Sequence, residues 1–182
     1  MSENRIGDWF LTYTGKKFYP LDPRPEDICI EDIAHALSLI CRFGGHSRRH
    51  YSVAQHSVIC SHIGEQAKIQ KLLHDAPEAY CGDMVRPLKL SMPAYCAVED
   101  KIWIAVAKRF DLNPVFHEEV KFADNTALMT ERRDVCTPSE HRWSLQDKYP
   151  PLDYNIYHLE PEEAEELFLK RFYELGSTFL TT

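Results

Sequence analysis

The sequence predicts a mainly helical single-domain protein, a helical bundle preceded by a short β-hairpin. Three observations predict it. Apolar residues recur at three- and four-residue spacing through most of the chain. Strand-like patterning is confined to one aromatic-rich stretch near the N-terminus. With 182 residues, 44% hydrophobic and 27% charged, the chain can bury one ordinary core, and residues 1–182 read as one domain.

The hairpin is "DWFLTYTGKKFYP", Asp8 to Pro20, with Thr14-Gly15 at its turn. Its Trp9, Phe10 and Tyr13 read as hairpin core rather than as a platform for a base. A proline-rich loop, "PLDPRPED", follows. "IEDIAHALSLICRF" sets Ile33, Ala36, Leu37 and Ile40 on one helical face, and "GGHSRRHY" breaks that helix. "SVAQHSVICSHI" opens with Ser52 and Gln55, the residue pair of a capping box. The next helix spans about residues 66–80 and ends at "CGD". "MPAYCAVEDKIWIAVAKRF" is a long helix with Pro93 in its first turn. Asn113-Pro114 opens another, running to about Val135. "TPSEHRWSLQDKYPPLDYN" reads as loop, and "EPEEAEELFLKRFYEL" as a final helix with Pro161 and acidic residues where the helix dipole favours them.

Composition excludes several functions. The N-terminus lacks the apolar core of a secretory signal, and no apolar run approaches the ~20 residues of a membrane span. Six scattered cysteines without a C-x-x-C pair read as reduced core thiols of a cytoplasmic protein. A net charge of −7 argues against binding duplex nucleic acid, which needs a basic face. It leaves room for a small anionic ligand held by a local basic cluster.

Four ionisable groups sit on otherwise apolar helical faces. His56 shares a stripe with Val53, Cys60 and Ile63, and Asp124 shares one with Val120, Ala127 and Glu131. His74 and Asp75 follow Leu72 and Leu73, and Glu78 lies within a turn of both. Buried charges are normally paired or bound to a metal. Two imidazoles and two carboxylates form a mixed N/O set suited to Mn, Fe, Co, Ni or Zn. With four protein ligands, a six-coordinate ion keeps positions open for water and substrate.

The order His56, His74-Asp75, Asp124 resembles the H…HD…D signature of the HD-domain metal-dependent phosphohydrolases. "SVAQHSV" looks like that family's first-histidine helix. "LLHDAPEAYCGDMVRPLK" is similar to the H-D-A-x-E-(x)3-G-D-(x)3-P-x-K run of its 5′-deoxynucleotidase branch, and "KFADNTALMTE" to that branch's last-ligand helix. The likeness covers about residues 30–135, and "RFGGH" and "YSVAQHS" are similar to a small phage- and prophage-type subgroup. The hairpin and the final helix would be additions to that core. Three departures stand out. Pro77 should kink or end the helix at Leu73. The interval between His56 and His74 leaves room only for a tight turn. Ala79 follows Glu78 where alarmone hydrolases carry Glu-Asp, and no G-Y-P run follows, so those substrates and cyclic dinucleotides are disfavoured.

The resemblance implies an HD-type bundle binding one divalent ion (Mn, Co, Fe, Ni, Zn or Mg) through His56, His74, Asp75 and Asp124. It implies that Glu78 stands beside the metal-bound water and Asp83 near the scissile phosphate. The basic segment "CRFGGHSRRH" would border the substrate, with Arg42 and His46 facing the phosphate. Arg48, Arg49, Arg86 and Lys89 are further candidates. The activity implied is removal of the 5′-phosphate from deoxynucleoside monophosphates. The alternatives are a deoxynucleoside triphosphate triphosphohydrolase or a non-catalytic HD-fold adaptor. The partner would be a small nucleotide, with neither duplex nucleic acid nor membrane. Homo-oligomers are common among small enzymes of this type, although no interface is legible here.

Overall fold

The computed structural model describes residues 4–176. The chain opens with an antiparallel hairpin, β1 (Phe10–Leu11) and β2 (Lys17–Phe18), in which Phe10 pairs with Phe18. Gly15, at φ 82, supplies the left-handed residue of its turn. The helices are α1 (Ile30–Leu39), α2 (Val53–His62), α3 (Lys68–Leu73), α4 (Glu78–Cys81), α5 (Arg86–Lys89), α6 (Pro93–Arg109), α7 (Glu118–Asp134) and α8 (Pro161–Gly176). The protein is a mainly helical bundle with a short N-terminal hairpin. No helix among the described residues is long and apolar enough to cross a membrane.

One apolar core runs from β2 to α8. It holds Phe18, Ile33, Leu37, Val53, Leu72, Leu73, Ile102, Val106 and Phe168. Helix α2 is its axis, packing on α1, α3, α7 and α8. Fully burying side chains of this size stabilises by roughly 1.5–3 kcal/mol each. The hairpin docks through Phe18, which stacks on Tyr80 with centroids 4.1 Å apart. Trp9, Phe10 and Tyr13 stay substantially exposed, so the hairpin's buried anchor is Phe18 instead. Of the six cysteines only Cys60 is fully buried, and all six are free thiols.

Several local expectations are corrected by tertiary contacts. The buried face of α1 is Ile30, Ile33, Ala34 and Leu37, turned from the expected stripe by its packing against α8. Ser52 caps α2 by accepting the Gln55 amide at 3.1 Å. The Gln55 side chain does not return the bond as a capping box requires. It donates to the Tyr157 carbonyl and accepts from the Leu159 amide, tying down the loop before α8. The helix expected over 66–80 ends at Leu73, where Pro77 is expected to kink or end it. Pro77 has no amide to give the Leu73 carbonyl, which accepts from Ala76 at 3.0 Å in a tighter turn. Helix α7 begins at Glu118 rather than at Asn113-Pro114. Residues 113–117 form a turn, and His117 caps the helix by accepting the Glu119 amide at 3.2 Å.

Candidate metal centre and substrate cleft

His56 is fully buried on α2. Its Nδ1 lies 2.5 Å from Oε1 of Glu131, a fully buried carboxylate on α7. The same oxygen accepts the Tyr51 hydroxyl at 3.1 Å. The other oxygen accepts two bonds from Arg42, at 3.1 and 3.2 Å. Burial alone would raise this carboxyl, but Arg42 and then His56 hold it below the ordinary range. An ionised Glu131 can only accept, so His56 holds a proton on Nδ1. Burial and Arg42 oppose a second proton, but the neighbouring Cys60, Glu131 and Asp124 hold the imidazole well above its ordinary range, so Nε2 would offer a lone pair when a metal displaces its proton.

His74 is oriented by a different device. The break after Leu73 leaves the last carbonyls of α3 open, and Lys71's accepts His74 Nδ1–H at 2.7 Å. A carbonyl cannot donate, so His74 holds a proton on Nδ1 and turns Nε2 toward His56. The two Nε2 atoms lie 3.3 Å apart. Oδ2 of Asp75 is 3.3 Å from His74 Nε2 and 3.7 Å from His56 Nε2. Oδ1 of Asp124, on α7, is 3.5 Å from His56 Nε2. Its second oxygen accepts from Lys121 at 2.7 Å. Burial opposes ionisation of Asp124, but His56 and His74 hold its carboxyl well below the usual carboxylate range.

The two Nε2 atoms and one Asp75 oxygen thus lie 3.3–3.7 Å apart, with an Asp124 oxygen 3.5 Å from His56 Nε2. With both Nε2 atoms deprotonated, such a set repels itself unless a cation lies within it. Bonds of about 2.0–2.2 Å to one central ion put neighbouring ligand atoms about 3.0–3.5 Å apart, which these separations approximate. The donors therefore fit a divalent ion. Cys60 is also close, and its sulfur shares a 4.8 Å cluster with ring nitrogens of His56 and His74. Yet Sγ is 3.4 Å from His56 Nε2 and 3.9 Å from Nδ1. A sulfur almost equidistant from both nitrogens lies beside the ring, not ahead of the Nε2 lone pair. Oxygens of Asp75 and Asp124 lie 3.3–3.7 Å from the Nε2 atoms.

The group opens into a cleft of about 690 Å³, within the ~300–1,000 Å³ common for small-molecule sites. Asp75, Glu78, Asp83 and Asp124 face it, and Val85, Leu90, Leu128, Trp143 and Leu145 supply apolar wall. Glu78, the first residue of α4, is buried, and its Oε2 has no hydrogen-bond partner. Burial, then the Asp75 and Asp83 carboxylates, push its carboxyl well above the ordinary range. Burial also raises Asp83, which follows the sharp turn at Gly82, φ 84.

The basic residues divide. Arg42 faces the centre, but its contacts are carboxylates: Glu131, and Asp75 at 3.5 Å from Nη1. Lys89 lines the cleft and is paired with Glu99 at 2.6 Å. Arg86 lines it without a salt bridge among the described residues. His46 and Arg49 are corrected. His46 is exposed outside the cleft, and Arg49 lines a separate pocket with His158. The cause is the left-handed backbone at Phe43 and Gly44, both at φ 59, and at Gly45, φ 81. It turns the chain away immediately after Arg42 and Phe43.

A similar arrangement of sequence extends to known proteins. The chain is 41% identical over 167 residues to the uncharacterized protein YfdR of Escherichia coli K12, covering 91% of this chain and 94% of that one. The chain belongs to the YfdR family. A second family relative, an uncharacterized protein of Rhodobacter capsulatus, is 35% identical over 147 residues, 72% of this chain and 75% of that one. No family model matches the chain. Both relatives are uncharacterized, so family membership brings no activity with it.

Sequence reasoning missed Glu131 as a partner of His56, although it lies on the Asp124 stripe, two turns further along. It also missed Phe43, Lys121 and Trp143 in the cleft wall. Trp143 sits in a loop whose pattern carries no signal of where it folds back. Outer partners of metal-binding histidines typically contribute 10–100-fold in affinity or activity. Glu131→Gln is accordingly expected to weaken metal binding by about that factor while leaving the helix content intact. Competition against a chromophoric chelator, with circular dichroism as the control, measures both.

Proposed function

We propose that the protein is a divalent-metal-dependent phosphohydrolase acting on nucleotides, with deoxynucleoside 5′-monophosphates as the favoured substrates. The observation that carries this reading is the pair of Nε2 atoms, 3.3 Å apart, beside the Asp75 carboxylate at the base of an open cleft. His56, His74, Asp75 and Asp124 would hold the ion. When bound, it would polarise a phosphoryl oxygen and make water acidic enough to attack near neutral pH.

The chain's own residues supply the rest. Glu78 faces the same cleft with an unpartnered oxygen and a raised carboxyl, suited to orienting the attacking water and taking its proton. Asp83 stands in the same wall and would help order the water or the leaving oxygen. Arg86, Lys89 and Lys121 bring positive charge to a wall otherwise dominated by carboxylates, which an anionic substrate requires. Arg42 keeps Glu131 ionised, and Glu131 holds the His56 Nδ1 proton so that Nε2 would face the ion. The apolar wall of Trp143, Leu145 and Leu128 suits a base or sugar face.

The test is metal analysis of the purified protein, followed by phosphate release from a nucleotide panel with added Mn or Co. Orthophosphate plus nucleoside supports the proposal. Tripolyphosphate plus nucleoside moves the activity to the triphosphohydrolase type. A metal-loaded protein inert on the whole panel would favour the adaptor. Arg86→Ala is expected to raise KM about tenfold with little change in kcat, because an exposed guanidinium contributes binding more than chemistry. Steady-state kinetics on the preferred monophosphate separates the two parameters.

A further inference from the structure

The basic segment that turns away from the metal cleft builds a second pocket. Its volume is about 340 Å³, and it lies between the 48–51 loop, the end of α7 and the 156–158 loop. The floor is apolar, with Tyr51, Val135 and Ile156 packed as a small buried cluster. Arg48, Arg49, His50 and His158 surround it. In a chain of net charge −7, two guanidiniums and two imidazoles gather around this cavity. His50 Nε2 is 3.0 Å from the Ser38 carbonyl. Arg48 donates to the Asp134 backbone carbonyl, and Arg49 Nη1 lies 3.4 Å from His158 Nε2. Neither guanidinium forms a salt bridge among the described residues. Asp134 is the acid in the wall, and its carboxylate is taken by Arg133, at 2.7 and 2.8 Å, and by the Ile156 amide at 2.9 Å.

We propose that this pocket is a second anion site, taking a phosphate group through Arg48, Arg49 and His158. The shared chemistry is a phosphate dianion on a small body, either orthophosphate or the phosphate of a nucleotide. A guanidinium offers five donors in a planar fork matched to phosphate, and Arg48 uses one group on a carbonyl, leaving the others for a ligand. The apolar floor would take the uncharged part of an organic phosphate. The site is separate from the metal cleft and shares no lining residue with it; Tyr51, which lines this pocket, donates its hydroxyl to the buried Glu131. The proposal does not depend on the activity proposed above.

The test is equilibrium titration of the full-length protein with orthophosphate, before and after chelation of its metal. The wild type is expected to retain a phosphate site after chelation. Arg49→Glu should weaken that site tenfold or more and His158→Gln less, because both positions line the rim and circular dichroism can confirm their folds. If Arg49→Glu does not fold, Arg49→Gln, which keeps most of the stem, takes its place. The proposal is overturned if chelation abolishes all phosphate binding, since the phosphate then sits only at the metal. It is equally overturned if the Arg49 variant binds as the wild type does. Titration of the chelated protein with deoxyadenosine monophosphate separates the sources. Tighter Arg49-dependent binding than orthophosphate supports a nucleotide ligand, and equal or weaker Arg49-dependent binding supports free phosphate.

Discussion

Asp75→Asn is expected to abolish both metal binding and phosphate release. One oxygen of Asp75 lies close to both Nε2 atoms, at 3.3 Å from His74 and 3.7 Å from His56. Asparagine has nearly the same shape but brings a neutral amide to a position where charge holds a dication. The fold should survive. Arg42 loses only its 3.5 Å contact to Asp75 and keeps both bonds to the buried Glu131. Metal content by plasma emission should fall from about one ion per chain to near none, with unchanged circular dichroism. Retention of a full equivalent of metal and of turnover would remove Asp75 from the ligand set.

The second large effect is at Glu78. Glu78→Gln should keep the metal and lower kcat by ~10²–10⁴-fold, the usual worth of a positioned acid or base. The side chain is buried with an oxygen that no protein group satisfies, so it is placed to act on water or substrate. Burial and the neighbouring Asp75 and Asp83 carboxylates raise its carboxyl well above the ordinary range. A base with a raised pKa is increasingly disarmed as pH falls through that value. The wild-type kcat/KM should therefore drop on the acid side, and this limb should vanish in Glu78→Gln. A metal-loaded variant with near-normal kcat and the same acid limb would transfer the role to Asp83.

Much of this was legible before folding. Helical periodicity located every long helix, because burial against neighbours is written into spacings such as Ile33 to Leu37 and Ile102 to Val106. The break at Pro77 was legible because a proline's missing amide is a covalent fact. His56, His74, Asp75 and Asp124 stood out as polar groups on apolar stripes; Asp75 lies 3.7 Å and Asp124 3.5 Å from His56 Nε2, which is 3.3 Å from His74 Nε2. The direction of the basic segment was not legible. Arg42 points inward while His46 and Arg49 lie elsewhere, because positive φ at Phe43, Gly44 and Gly45 reverses the chain between them. A phenylalanine in the left-handed region is not foreseeable from its side chain.

By itself, then, the sequence determined the helical class, the short hairpin, the helix-ending proline and which side chains were too polar for their faces. Each of these follows from local covalent geometry or from a periodicity within one element. Only the tertiary structure decided how the two imidazole rings are oriented, since Glu131 reaches His56 across 75 residues and Lys71 offers its carbonyl only because α3 stops. It alone decided which cations stay free, since Lys89 pairs with Glu99 while Arg86 does not pair among the described residues. Such choices depend on distances between separate elements, and side-chain spacing along one chain carries no record of them.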